Sequence, residues 1–222
     1  MRGGWAMVFS RLSEISIIKT VRFNIHYFGL SAVFKPYVLC SKNVKFVKLG
    51  GIVNINSKKI GGIRLGFKSV PLFDFKYQRF CWQNDGTICF EENANIGQGA
   101  VISNSGKLTL GNNFNISANS KIVCRKNITI GDDCLISWDC LLMDSDWHVV
   151  YNSSNGESVN NDRAILMGNH IWIGCNSVIL KGAEIPENCV IAAGSVVSGR
   201  LPKPDSVYVR NNPIKNGINW KY

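Results

Sequence analysis

One short segment gathers the residues best suited to moving a proton. His148 closes the run Met143-Asp144-Ser145-Asp146-Trp147-His148, with two carboxylates and an indole just ahead of it. The chain has two other histidines, His26 and His170. A neutral imidazole, with an unperturbed pKa of about 6.5, can accept a proton at neutral pH. Such help to an attacking hydroxyl is worth roughly 10² to 10⁴ in rate. Asp144 and Asp146 suit two roles: holding the imidazole in one tautomer, as a carboxylate partner does, or shaping an Asp-Ser-Asp turn. Asp146 stands nearer the ring, and Asp144 is expected to contact substrate. No Ser/His/Asp or Cys/His nucleophile pattern accompanies them, so no covalent intermediate is expected.

His148 also marks where a periodic pattern breaks. Apolar residues recur every sixth position at Phe90, Ile96, Ile102 and Leu108. After a slip of two they run Leu110, Ile116, Ile122 and Ile128, then after another slip Ile130, Ile136 and Leu142. The next position on this beat is His148. Past a loop the beat resumes at Ile165, slips again, and runs from Met167 through Ile173, Ile179, Ile185 and Ile191 to Val197. Four positions after most beats stands a small residue, among them Ala94, Ala100, Ser120, Cys134, Cys140, Ser177, Ala183, Cys189 and Ser195. A period of six is neither the 3.6 of a helix nor the 2 of a strand, and it implies short strands separated by turns. Three such units make a triangular coil of roughly 18 residues, with two more where "LTLG", "ITIG" and "ILMG" fall. Stacked coils place like residues above like. The expected fold is all-β, a parallel β-helix, and the period alone does not give its hand. Gly111, Gly131, Gly168 and Gly174 are expected at turns where positive φ is useful. Cys134, Cys140 and Cys189 read as small buried fillers.

The bulk numbers bound the rest. A chain of 222 residues suits one domain with a short extension. The formal charge of +10 points to an anionic partner: nucleic acid, a membrane surface or a phosphorylated cofactor. No zinc finger, RNA-binding signature or long basic run is present, so nucleic acid is not expected. No apolar run spans a membrane, and the basic start lacks a continuous apolar stretch before a cleavage site. A cytoplasmic protein with reduced thiols is expected, with peripheral contact at the inner membrane face as one use of its basic start. Residues 1–43 form an N-terminal extension. There Phe9, Leu12, Ile15, Ile18, Val21, Ile25 and Phe28 have helical spacing, although "VRFNIHYF" also alternates like a strand. This segment suits an anionic membrane face or a cover over the end of the coil. The β-helix is expected over 44–198, with irregular opening coils to residue 66, a loop or bulged turn over 68–86, and a second loop at 149–164. Residues 199–222 are expected to leave the coil as a short helix or arm.

Four segments, "IGDDCLISWDCLLMDSDWH", "GNHIWIGCNSVILKGAEI", "VIAAGSVVSG" and "NNPIK", give the chain from about residue 88 onward a family likeness. It resembles the hexapeptide-repeat acyltransferases, and among them the O-acetyltransferases of maltose, galactosides and surface polysaccharides. That resemblance implies a left-handed parallel β-helix. It implies a homotrimer with its active site in the groove between neighbouring subunits. It also implies acetyl-CoA as acyl donor, no metal, and transfer of the acetyl group to a hydroxyl of a small-molecule or lipid-linked sugar, a surface-polysaccharide precursor. His148 matches the general base. Asn119 resembles the asparagine that positions the acceptor hydroxyl, at a separation from the next "IGDD" two residues unlike the family's. Trp172, 24 residues after His148, matches the tryptophan of the acetyl or acceptor pocket. The backbone N–H of Cys175 matches the donor to the thioester oxygen. Ala193 and Ser198 match segments that contact coenzyme A, and Arg200 and Lys215 are candidates for its phosphates. Gly199 and Asn211 depart from the family's usual lysine and glycine. The same scaffold serves sugar-amine N-acetyltransferases, which is the alternative reading. A zinc-dependent hydratase of this fold needs about three histidine ligands, and the repeats hold only two histidines.

Overall fold

To bury one residue in six, a chain must turn a corner after each short strand and bring every strand's inner residue to a shared centre. The computed structural model, which describes residues 13–221, has that architecture. Among the described residues, twenty-two strands form three sheets of nine, seven and six strands. Up to Val196–Val197, successive strands pass from face one to face two to face three and back again. Neighbouring strands run parallel until the final pair. Ile122 pairs with Ile102 and Ile128 with Leu108, one circuit of twenty residues; further on, Ile191 pairs with Ile173 after eighteen. The slip of two has a plain cause. On face three, the strands Lys107–Leu110 and Asn127–Ile130 each turn two residues inward, Leu108 with Leu110 and Ile128 with Ile130.

Every beat residue from Phe90 to Val197 is buried, and the small residues four positions later are buried beside them. Each buried aliphatic contributes about 1.5–3 kcal/mol, and the stacking leaves no break in this core between Ile88 and Val197. The cysteines at 134, 140 and 189 are free thiols within it.

The corner glycines have another reason than the one expected. Gly111, Gly131, Gly168 and Gly174 do not have positive φ; that conformation falls two residues later, at Asn113, Asp133, His170 and Asn176. Glycine is required because the coils touch there. A Cβ on Gly111 would lie 2.4 Å from the Gly131 carbonyl, and one on Gly174 would lie 2.5 Å from the Ala193 nitrogen.

The helix α1 (Ile17–Phe28) closes the open end of the prism. Its buried face is Thr20, Phe23 and Asn24 rather than the expected apolar stripe, and Ile18 is largely exposed. The edge of the first strand, Val38–Cys40, explains the choice, because an uncovered edge needs hydrogen-bonding partners. Asn24 donates to the Val38 carbonyl at 2.6 Å and accepts the Tyr37 and Val38 N–H groups, and Thr20 accepts the Cys40 N–H at 3.0 Å. Phe9 and Leu12 lie outside the described residues. Within the expected loop over 68–86, Phe80–Asn84 is a strand of face two. The chain also stays on the stack after Val197. Ser206–Val209 joins face one, and Asn212–Asn216 folds back on it antiparallel as an exposed edge, where Pro213 blunts further pairing. Among the described residues no helix is long and apolar enough to cross a membrane.

Candidate active site

The loop carrying His148 leaves the stack at the corner between faces two and three, just above Arg125 and Lys126. Asp144 fixes that exit. Its side chain is fully buried, one carboxylate oxygen accepts the Arg125 N–H at 2.7 Å, and the other accepts those of Lys126 and Asn127 at 2.8 and 2.7 Å. These bonds clamp the turn of the coil beneath. A carboxylate so buried and committed offers nothing to a substrate, which corrects the expected substrate contact for Asp144.

Past this clamp, Asp146 ties the loop to the next coil. Lys181 donates to its carboxylate at 2.5 Å and to the Asn160 carbonyl at 2.6 Å. Asn160 in turn donates to the Asp146 carboxylate at 2.9 Å and to the His148 carbonyl at 2.8 Å. The bond from Lys181, then that from Asn160, holds the Asp146 carboxyl below the usual carboxylate range. Asp146 therefore secures the loop backbone; its carboxylate makes no hydrogen bond to the imidazole. The His148 side chain is exposed, and its ring nitrogens have no hydrogen-bond partner among the described residues. It borders a cavity of about 130 Å³ walled by Trp147, Asn160, Asn161 and Asp162. Arg125 supports that wall, 5.8 Å above the Trp147 ring and 3.4 Å from Asp162.

The remaining predicted residues lie on other parts of the prism. Trp172 is outward on face one, its indole N–H donating to Ser137 Oγ at 3.0 Å and its ring 6.0 Å from Trp220. Trp220 stacks on His170 at 4.3 Å and donates to the His170 carbonyl, so His170 anchors the end of the chain. Asn119, Cys175 and Ala193 occupy the corner between faces one and two. Asn119 takes φ 60° as one of a column of left-handed corner residues with Asp139 and Asn176. The residue before each left-handed one turns its N–H outward. Ala118, Trp138, Cys175 and Ala193 thus have backbone N–H groups with no acceptor among the described residues. Ser198 is exposed at the end of face two, where Asn211 brackets its backbone N–H and carbonyl. Arg200 faces Glu184 at 3.9 Å on face three, and Lys215 lies on the exposed edge of face one.

A single protomer therefore does not unite the predicted site. His148 and Asp146 stand on one edge of the prism, Asn119, Cys175 and Ala193 on another, and the width of face two separates them, ~15 Å of extended chain. Lys181 and Asn160 were missed by sequence reasoning. Lys181 was within reach, because Leu180 stacks on Met143 and so sets residue 181 above Asp144; no spacing rule points to Asn160.

No family model matches the chain. It is 30% identical over 132 residues to a putative lipopolysaccharide biosynthesis O-acetyl transferase, WbbJ, of Escherichia coli (strain K12), covering 54% of this chain and 67% of that protein. To galactoside O-acetyltransferase of the same organism it is 35% identical over 113 residues, 50% of this chain and 54% of that one. The chain spans about half the length of the first curated relatives it matches. Among solved structures, the polySia-specific acetyltransferase NeuO superposes with a TM-score of 0.59 at 22% identity, covering 82% of this chain and 90% of that one. This likeness shows the fold, a left-handed parallel β-helix.

Proposed function

This chain belongs to the hexapeptide-repeat acyltransferase family, and on that footing we propose that it is an acetyl-CoA-dependent O-acetyltransferase acting on a hydroxyl of a sugar or surface-polysaccharide precursor in the cytoplasm. The observation that carries this reading is His148, whose uncommitted imidazole stands at the lip of a cavity on a loop pinned by Asp146, Asn160 and Lys181.

In this reading the protein works as a homotrimer. A neighbour's corner, carrying Cys175 and Trp172, comes to the His148 edge and forms the groove. The division of the predicted residues between two edges supports such an arrangement, because only a second copy brings those edges together. Acetyl-CoA supplies the acyl thioester. The unsatisfied N–H groups of Cys175 and Ala193 suit its oxygens, the first as a fixed donor to charge developing on the thioester carbonyl. Ser198, Arg200 and Lys215 flank the end of the stack, where the long cationic chains can reach phosphate. His148 takes the proton of the acceptor hydroxyl as that oxygen attacks the carbonyl carbon, and returns it as the thiolate of coenzyme A departs. Trp172 closes one side of the acceptor pocket, and Asn119 of the corner column orients the acceptor from below. Asp146 acts on the base through the loop backbone.

Release of free coenzyme A, followed with panels of hydroxyl- and amine-bearing sugars, tests the proposal. Wild-type protein is expected to turn over hydroxyl acceptors. His148→Ala should lower the rate roughly 10² to 10⁴-fold while sedimenting as the same oligomer. Turnover on amines alone would replace this reading with N-acetylation. Normal turnover by His148→Ala would remove the base assignment.

A further inference from the structure

We infer that the acceptor is an acidic saccharide, a sugar chain bearing carboxylate or phosphate, and that its acid group is held by Arg64 and Lys68 in a cavity on face one. This rests on the proposed function only for where the acetylated hydroxyl sits.

The cavity measures about 180 Å³ and is lined by Arg64, Lys68, Ser69, Asn95, Asn115 and Ser117 on its polar side, with no acidic side chain among the described residues of its lining; the nearby Glu14 carboxylate accepts the Lys68 backbone N–H at 3.0 Å. It is a built feature. Its wall is the segment that follows Phe67, and the fully buried Gln98 ties that segment down. Gln98 accepts the Ser69 N–H at 2.8 Å and donates to the Phe73 carbonyl at 3.1 Å. Asn43 donates to the Phe75 carbonyl further along. Gly97 lets the wall close, since a Cβ there would lie 2.6 Å from Ser69 Oγ.

Its position connects it to the site. Arg64 pairs with Asn95, Asn95 with Asn115, Asn115 with Leu135, and Leu135 with Trp172, forming one row across face one. Adjacent strands lie about 4.8 Å apart, so Arg64 stands ~19 Å from Trp172 along this row. Leu135, in the cavity lining, is the immediate neighbour of Trp172. A ligand presenting a hydroxyl at Trp172 and an acid group at Arg64 is longer than a single sugar ring.

Charge and chemistry select the ligand class. Residues 13–80 hold twelve Lys or Arg against two Asp or Glu, a balance of +10, while residues 81–222 hold eleven against thirteen, a balance of −2. An acidic chain leaving the active site toward α1 therefore runs into rising positive potential. The Arg64 guanidinium lies 4.7 Å over the Phe67 ring, which orients a planar fork matched to carboxylate or phosphate. Asn95, Asn115 and the two serines supply donors and acceptors for sugar hydroxyls. A phospholipid surface would call for cations on a convex face, whereas these line a concavity among amides.

Titration calorimetry of the full chain tests this without acetyl-CoA. The probes are a short oligosialic acid, the same saccharide with its carboxylates methyl-esterified, a phosphate-bearing oligosaccharide, and vesicles of anionic phospholipid. At least one acidic saccharide is expected to bind, more weakly as salt rises, and esterification should cost about tenfold or more. Lys68→Gln and Asn95→Asp should each weaken binding about tenfold at unchanged melting temperature. Both residues are exposed, so these variants serve even if Arg64→Gln fails to fold. Equal affinity for the esterified saccharide, indifference to both variants, or no binding of either acidic saccharide at about 1 mM would overturn the inference. So would Lys68-dependent binding to vesicles alone. Acetylation of neutral sugars with kinetics unchanged in Lys68→Gln would sink the inference and leave the proposed function standing. Acidic-saccharide binding without any coenzyme A release would do the reverse.

Discussion

Asp144→Asn separates a structural carboxylate from a substrate-binding one. The substitution keeps the shape of the side chain but replaces one acceptor oxygen with an NH₂ group. Three backbone N–H groups converge on the native carboxylate at 2.7–2.8 Å, and an amide oxygen can keep at most the two that share Oδ2. The Arg125 N–H then faces another donor. Losing one charge-assisted bond costs about 1.5–3 kcal/mol, and weakening the two that remain raises the total to about 3–5 kcal/mol. For a chain of this length that corresponds to a melting temperature lower by roughly 10 °C. Calorimetry reads the shift, and hydrogen exchange should show faster opening at residues 125–127 and in the loop that follows. Coenzyme A release, measured well below the variant's transition, should fall with loop order and leave saccharide affinity nearly intact. A melting temperature within about 2 °C of wild type, combined with a selective rise in acceptor KM, would show that Asp144 meets substrate and that the clamp is misread.

Lys181→Met should lower kcat about tenfold with little change in the KM for acetyl-CoA, because it frees the loop without touching the donor side; equal kcat in the two proteins would remove Lys181 as a positioning residue. The folded-state pKa of Asp146 is depressed, so its tether is fully present above the unfolded carboxylate value of about 4 and is lost as pH falls through the lower folded value. Loop protection, normalised for intrinsic exchange, should thus hold flat from about pH 5 to pH 8, and loosening near pH 6 would contradict the tether. Burial pushes the thiols of Cys124 and Cys134 up to about 12 and that of Cys140 to about 11. A disulfide reagent near neutral pH should therefore reach Cys81, Cys89 and Cys175 in the native protein and all eight thiols only after denaturation. These groups stay protonated when folded but ionise near 8.5 when unfolded, so stability is complete below that value and falls as pH rises through the folded values. A denaturation midpoint unchanged between pH 7.5 and pH 10 would count against the burial.

The parts of the fold legible in the sequence are those where one side chain answers to one constraint. An inward position in a stacked coil tolerates only an aliphatic, so Ile116, Ile136 and Ile173 spelled out face one without further help. The corner glycines were found but explained by φ, because spacing marks a corner without saying whether its limit is torsional or steric; contact with the next coil, as at Gly111, appears only once coils are stacked. α1 was readable as a helix but not in its orientation, since the decisive contacts are Thr20 and Asn24 satisfying a strand edge distant in sequence. In the site, the exposed position of His148 at the loop exit followed from the broken beat. The partners of Asp146 did not, because Asn160 returns from the far side of an irregular loop and no period carries through it.

The corner between faces one and two shows how a repetitive fold can acquire a local function. Each circuit needs one left-handed residue there, supplied by Asn119, Asp139, Asn176 and Gly194, and that geometry aims the preceding N–H away from the stack. The donors at Ala118, Trp138, Cys175 and Ala193 are by-products of turning the corner, and their backbone geometry is much the same. What sets Cys175 apart is its surroundings: Trp172 lies three residues earlier on face one, and in the proposed trimer another copy brings His148 to that level. Catalysis would then depend less on an unusual rung than on where the chain interrupts its beat. The interruption comes after Leu142, which stacks directly beneath Ile179, so the loop emerges on the circuit just below the one that carries Cys175. Shortening the 149–164 loop while keeping His148 should preserve folding and coenzyme A binding and abolish transfer, because donor and base would no longer meet. A shortened chain with full turnover would mean that the base acts from elsewhere.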